Sequence, residues 1–114
     1  MDALGRHCII EYHECPPEVM DDLDAIERAL TDAARSMGAT VVATEFHRFS
    51  PHGISGMVII SESHLSIHTW PEYGYAAVDV FTCGTVIDPW VAHNLLTERF
   101  SSARQSVMEF RRGI

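Results

Sequence analysis

From Gly5 to Tyr12 polar and apolar side chains interleave (GRHCIIEY), which predicts a strand. The period then changes. In PPEVMDDLDAIERALTDAARSMG, Val19, Leu23, Ile26, Leu30, Ala33 and Met37 recur every three or four residues, so this stretch predicts a helix with one buried face. Asp21, Asp22 and Asp24 lie near its positive end and Arg35 near its negative end, and these charges read as a solvated face that complements the helix dipole. Gly38 suits the C-terminal cap. The β-branched and aromatic run ATVVATEFHRF returns to strand, and SPHG turns the chain. SGMVIISE, HLSIHTW and YAAVDVFTC predict three more strands, separated by a tight junction at Glu62-Ser63 and by the turn PEYG. Asp88 and Pro89 form an N-cap followed by proline at the first helical position, opening a helix PWVAHNLLTERF that runs to about Phe100. ARQSVMEFRRG reads as a closing strand. The order β-α-β-β-β-β-α-β, with short connections, predicts an α+β fold: a two-layer sandwich of a mostly antiparallel sheet with two helices packed on one face.

The 114 residues suit a single domain, 1–114, with no repeat or long linker. A domain of this size buries only about two-thirds of its unfolded surface. A site able to enclose a substrate is therefore expected to need a second copy of the chain. Hydrophobic residues make up 46% and charged residues 21%, which fits a globular protein. No apolar run reaches the roughly 20 residues of a membrane span, and the N-terminus lacks the basic start and cleavage site of a signal peptide. A cytoplasmic protein without a membrane partner is expected. The net charge of −8 argues against nucleic acid as a partner.

Two compositional details bear on chemistry. All eight basic residues are arginine, and there is no lysine, so pyridoxal phosphate held as a lysine Schiff base is excluded. The cysteines, Cys8, Cys15 and Cys83, are odd in number and form no CxxC pair, which predicts free thiols.

Polar residues crowd into Ser55–Cys83: Ser55, Ser61, Glu62, Ser63, His64, Ser66, His68, Glu72, Asp79 and Cys83. Three chemistries could use them. His64 and His68 could share a metal across one strand face, but no third ligand is fixed by the spacing. Cys83 and His68 could form a nucleophile and base, although no nucleophile-elbow motif is present. The third is self-cleavage at Glu62-Ser63. There the serine hydroxyl attacks the preceding carbonyl, the resulting ester undergoes β-elimination, and a dehydroalanine hydrolyses to a pyruvoyl group. That route needs a serine at a strained turn, donors for the oxyanion and a base for the α-proton. Periodicity does not single out Ser63 from the other serines.

The segment ISGMVIISESHLSIHTWPEYGYAAVDVFTCG closely resembles the core motif of the small prokaryotic S-adenosylmethionine decarboxylases. LGRHCIIEYHEC, FHRFSPHGISG and the DPW helix start match the same pattern, so the resemblance spans essentially the whole chain. It implies processing between Glu62 and Ser63 into a β chain, 1–62, and an α chain, 63–114, that begins with a pyruvoyl group derived from Ser63. His68 resembles the base that takes the Ser63 α-proton, Ser55 the hydroxyl that supports the oxyanion, and Cys83 the acid that returns a proton to the substrate carbon. Phe49 and Glu72 resemble contacts to adenine and to the ribose hydroxyls. The pyruvoyl carbonyl would form a Schiff base with the substrate amine and act as electron sink, so no metal or diffusible cofactor is expected. The resemblance also implies a homodimer of processed units and S-adenosylmethionine as substrate, for the aminopropyl donor of spermidine synthesis. Arginine or ornithine is the alternative substrate, because relatives with the same processing motif use them. An unprocessed regulatory paralogue is the non-enzymatic alternative, and the retention of Ser63, His68, Ser55 and Cys83 argues against it.

Overall fold

A computed structural model describes residues 3–84 and 86–113, so a domain spanning 1–114 extends to four positions outside the described residues. Six strands form one antiparallel sheet: β1 (Gly5–His13), β2 (Val41–Arg48), β3 (Ile54–Ile60), β4 (Ser63–Trp70), β5 (Tyr75–Cys83) and β6 (Arg104–Arg112). Their spatial order is β2-β3-β4-β5-β1-β6. The helices are α1 (Pro17–Met20), α2 (Leu23–Ser36) and α3 (Pro89–Arg99), and α2 and α3 pack on each other and on the same side of the sheet. The two-layer α+β sandwich expected from the sequence is the observed architecture.

One expected element divides in two. The apolar spacing runs unbroken from Val19 to Met37, yet the helix breaks at Asp21-Asp22. Asp22 caps α2 by accepting a hydrogen bond from the Ala25 amide at 3.1 Å. Asp21 is not part of a solvated face either: its carboxylate accepts from the Gly53 amide at 3.0 Å and pairs with Arg48 at 2.5 Å. At the other end Gly38 adopts φ 84° and α2 closes through Gly38 N–H to Arg35 and Ala39 N–H to Ala34. Asp88 and Pro89 open α3 as their sequence requires, with the Asp88 carboxylate 3.0 Å from the Trp90 amide.

Alternation along the strands separates two faces. Cys8, Ile10 and Tyr12 of β1, Val58 and Ile60 of β3, Leu65, Ile67 and Thr69 of β4, and Ala76, Val78 and Val80 of β5 point under the helices and are buried. They meet Ile26, Leu30 and Ala33 of α2 and Ala92 and Leu96 of α3. Each Ile or Leu placed there contributes about 1.5–3 kcal/mol from burial. Among the described residues no layer covers the opposite face. Ile9, Met57, Ile59, Trp70, Met108 and Phe110 lie on it with exposures between 37% and 57%, among polar His47, Ser55, His64, Ser66, His68 and Asp79.

The buried layer holds a polar side-chain pair. The Tyr12 hydroxyl meets His93 Nδ1 at 2.8 Å, and burial holds the His93 imidazole below its ordinary value, so the ring is neutral. Tyr12→Phe strands that nitrogen without water. We expect a loss of about 1–2 kcal/mol, seen as a fall in Tm of about 4–8 °C, when the substitution is made in a Ser63→Ala background that keeps the chain whole. An unchanged Tm would show that the pair contributes nothing.

Candidate active site

The β3–β4 hairpin turns through only Ser61 and Glu62, so that Ile60 pairs with Ser63. Such a short connection needs unusual backbone angles, and the strain falls on Ser63, a non-glycine residue at φ 137°. Regular alternation would send the Ser63 side chain toward the helices with Leu65. Its Oγ instead lies 3.4 Å from Nδ1 of His64, a residue of the open face.

The turn is pinned from two sides. Ser61 N–H donates to the Thr40 carbonyl at 3.0 Å, and the Thr40 amide reaches the Glu62 carboxylate at 3.3 Å. More pointedly, the Cys83 amide donates to the carbonyl oxygen of Glu62 at 2.8 Å. That is the oxygen on which negative charge develops if Ser63 attacks the preceding carbonyl, so a fixed donor already faces it. This donor is a main-chain group and could not be recognised from residue type. Register locates it: the turn at Pro71–Gly74 pairs Trp70 with Tyr75 and Ser63 with Thr82, which leaves Cys83 across from Glu62. Gly74 is required in that turn. It adopts φ 59°, and a Cβ would lie 2.6 Å from the Cys15 carbonyl oxygen.

The three cysteines now separate. Cys8 and Cys15 are buried, and burial pushes the Cys8 thiol up to about 11. Cys83 is exposed, at the end of β5 next to the Glu62-Ser63 bond. Thr82, beside it and directly across from Ser63, has a buried hydroxyl with no hydrogen-bond partner among the described residues.

Ser55, His68, Phe49 and Glu72 form a different group. Ser55 pairs with His68 across β3 and β4, and their side chains meet with Oγ 2.7 Å from Nδ1. Both line an open cavity of about 260 Å³ together with Phe49, His52, Trp70 and Glu72. Phe49 stands on the loop between β2 and β3, half-exposed, with its ring edge-on to His47. The Asp21 contacts to Gly53 and Arg48 hold that loop. Thr69 fixes it from below, accepting from the Ile54 amide at 2.9 Å and donating to the Met20 carbonyl at 2.8 Å. Gly56 follows Ser55 because the Phe46 ring lies over it, where a Cβ would approach to 2.0 Å. On the other wall His52 Nε2 is 2.7 Å from the Glu72 carboxylate, and this hydrogen bond holds Glu72 below its ordinary value and anionic.

The two groups do not meet within one chain. Ser63 and His68 are five residues apart on β4, a separation of roughly 16 Å. The Cys83-His68 pair considered from sequence is therefore not formed: His68 pairs with Ala77, and Cys83 lies at the far end of β5. Nor is a metal site assembled from His64 and His68, since no cluster of three His, Cys, Asp or Glu side chains occurs among the described residues.

Comparison with known proteins gives this geometry a setting. The family model described as S-adenosylmethionine decarboxylase matches residues 6–113. The S-adenosylmethionine decarboxylase proenzyme of Fervidobacterium nodosum is 57% identical over 113 residues, covering 99% of this chain and 82% of that protein. The proenzyme of the same name from Clostridium kluyveri is 54% identical over 114 residues, covering 100% of this chain and 90% of that protein. The crystal structure of the adenosylmethionine decarboxylase from Aquifex aeolicus superposes with a TM-score of 0.93 at 32% identity, covering 100% of this chain and 94% of that one. With the family model matching residues 6–113 and these relatives aligned over 99% or more of this chain, the chain belongs to the S-adenosylmethionine decarboxylase family.

Proposed function

We propose that this chain cuts itself between Glu62 and Ser63, carries the resulting pyruvoyl group at the start of residues 63–114, and decarboxylates S-adenosylmethionine. One observation carries the reading: the Cys83 amide sits 2.8 Å from the Glu62 carbonyl oxygen, over a serine at φ 137°. The donor stabilises the oxyanion of the attack, and part of the strain is released when the peptide becomes an ester. These residues fit the prosthetic group. Its precursor serine heads a strand, its scissile carbonyl is already polarised, and an exposed thiol stands beside it.

The separation of the two side-chain groups supports a dimer in which each site is shared. The open face presents half-exposed apolar side chains that a second sheet would cover, at a spacing of about 10 Å. A two-fold axis between the sheets, crossing β4 near Ser66, brings the Ser63 end of one chain over the His68 end of its partner. His68, held by Ser55, then removes the Ser63 α-proton across the interface, and elimination releases the Glu62 carboxylate. The axis is the same one that turns two open faces into a buried core.

The pyruvoyl group would supply a sink for the electron pair that departing CO₂ leaves on the substrate α-carbon, once the substrate amine is joined to it. The rest falls to side chains. Phe49 offers an aromatic face to adenine, and the anionic Glu72 accepts from the ribose hydroxyls. Cys83 returns the proton to the carbon that loses CO₂.

On a denaturing gel we expect two pieces, residues 1–62 and 63–114, the second with a blocked N-terminus. Ser63→Ala should stay whole, and the appearance of the same two pieces from that variant would refute the site. Co-expressed Ser63→Ala and His68→Ala chains should regain cleavage at about one quarter of the wild-type number of sites if chains mix randomly into dimers. No cleavage in the mixture would place each site within a single chain. Given S-adenosylmethionine, arginine or ornithine separately, the processed protein should release CO₂ from the first with the highest kcat/KM. Turnover of an amino acid alone would overturn the substrate while leaving the cleavage reaction in place.

A further inference from the structure

We propose that His64 is the general base of the first processing step, taking the proton from the Ser63 hydroxyl as it attacks the Glu62 carbonyl. The inference rests on the cleavage reaction argued above and assigns the proton transfer that precedes the one given to His68. The two proton transfers of processing occur at different atoms of Ser63. The second takes the Cα proton. The first takes the Oγ proton, and the imidazole at that atom belongs to the neighbouring residue, with Nδ1 at 3.4 Å. The contact is at the outer limit of hydrogen bonding, as ground-state contacts to a general base often are.

The surroundings of His64 suit a proton acceptor. Its ring is clamped edge-on between Phe81 of β5, at 5.7 Å, and His7 of β1, at 6.5 Å. His7 is itself fixed: Arg112 of β6 donates to its Nδ1 at 3.4 Å, which leaves Nε2 carrying the hydrogen toward Asp79 of β5 at 3.2 Å. Ser66, next along the same face of β4, donates to the other Asp79 oxygen at 3.3 Å. The charged and titratable groups facing His64 are therefore His7, Asp79 and Arg112, while Ile59 faces it from β3. Burial first, with the electrostatic effects of His7 and Arg112 beside it, outweighs Asp79 and holds the imidazole below its ordinary value of 6.5, so it is neutral at pH 7. Nε2 has no hydrogen-bond partner among the described residues, and Nδ1 faces Ser63.

The step balances without another reactant. The Oγ proton moves to His64 Nδ1 while the Oγ–C bond to Glu62 forms, and the Cys83 amide holds the oxyanion. When the C–N bond breaks, the proton on His64 passes to the Ser63 nitrogen. The imidazole is restored and the peptide has become an ester.

The test follows freshly translated full-length chain to its two pieces. His64→Asn keeps a hydrogen-bonding group near Oγ but cannot take up a proton, and His64→Gln serves the same purpose should the first variant melt earlier than Ser63→Ala. The wild-type rate should fall as the pH drops through a value below 6.5, because only the neutral ring accepts a proton. The folded variant should be slower by about 100-fold or more and lose that pH dependence. Hydroxylamine, which cuts esters, marks the step that stalls: a variant blocked before the acyl shift stays whole in its presence. Cleavage of the variant by hydroxylamine, or processing at the wild-type rate, would overturn the role of His64. If the wild-type chain itself stays whole with and without hydroxylamine, the cleavage reading falls, and this step with it.

Discussion

Strand β4 is held in register from both sides, and the chemistry at its two ends depends on that double constraint. The two-residue turn at Ser61-Glu62 sets it against β3, and the turn closed by Gly74 sets it against β5. A slip of one residue in either ladder would move every β4 side chain to the other face. It would put Leu65 and Ile67 into water and carry the Glu62 carbonyl away from the Cys83 amide. The apolar packing under the helices thus fixes the position of a polar group outside them. Because several buried side chains share the cost of a slip, the alignment of one carbonyl with one amide is kept far more firmly than their single hydrogen bond could keep it.

The same register explains why one chain carries its candidate groups apart. A strand is nearly rigid, so residues 63 and 68 cannot approach one another by bending the sheet. What a single layer cannot bring together, two antiparallel copies can, provided the uncovered face is apolar enough to hold them. Ile9, Met57, Ile59, Met108 and Phe110 supply that character, while Ser55, His68 and Cys83 keep the chemistry on the same face. Under this arrangement, assembly and site formation are one event.

Strand alternation was readable directly, and the limits of β5 coincide with the run YAAVDVFTC. The seven site residues were named through motif resemblance rather than periodicity, which had no means of choosing Ser63 among five serines between Ser50 and Ser66. Three features escaped for different physical reasons. The break at Asp21-Asp22 is invisible to apolar spacing, because what stops the helix is a carboxylate recruited by Gly53 and Arg48, distant in sequence. The Cys83 amide carries no side-chain signature and emerges only once strands are paired. His64 was weighed as half of a metal pair with His68, a reading that overlooked its nearer neighbour in sequence.

Strand order also bears on what a cut at Glu62-Ser63 does to the molecule. Residues 1–62 supply β1, β2 and β3, and residues 63–114 supply β4, β5 and β6. In space these alternate: β3 lies against β4, and β1 is threaded between β5 and β6. The two pieces are therefore interlocked along three ladders, and neither retains a sheet of its own beyond a hairpin. Before the cut, refolding is a first-order search within one chain. Afterwards it becomes a concentration-dependent encounter between two polypeptides. Maturation would thus be remembered by the protein: once unfolded, it could not return along the path by which it first folded.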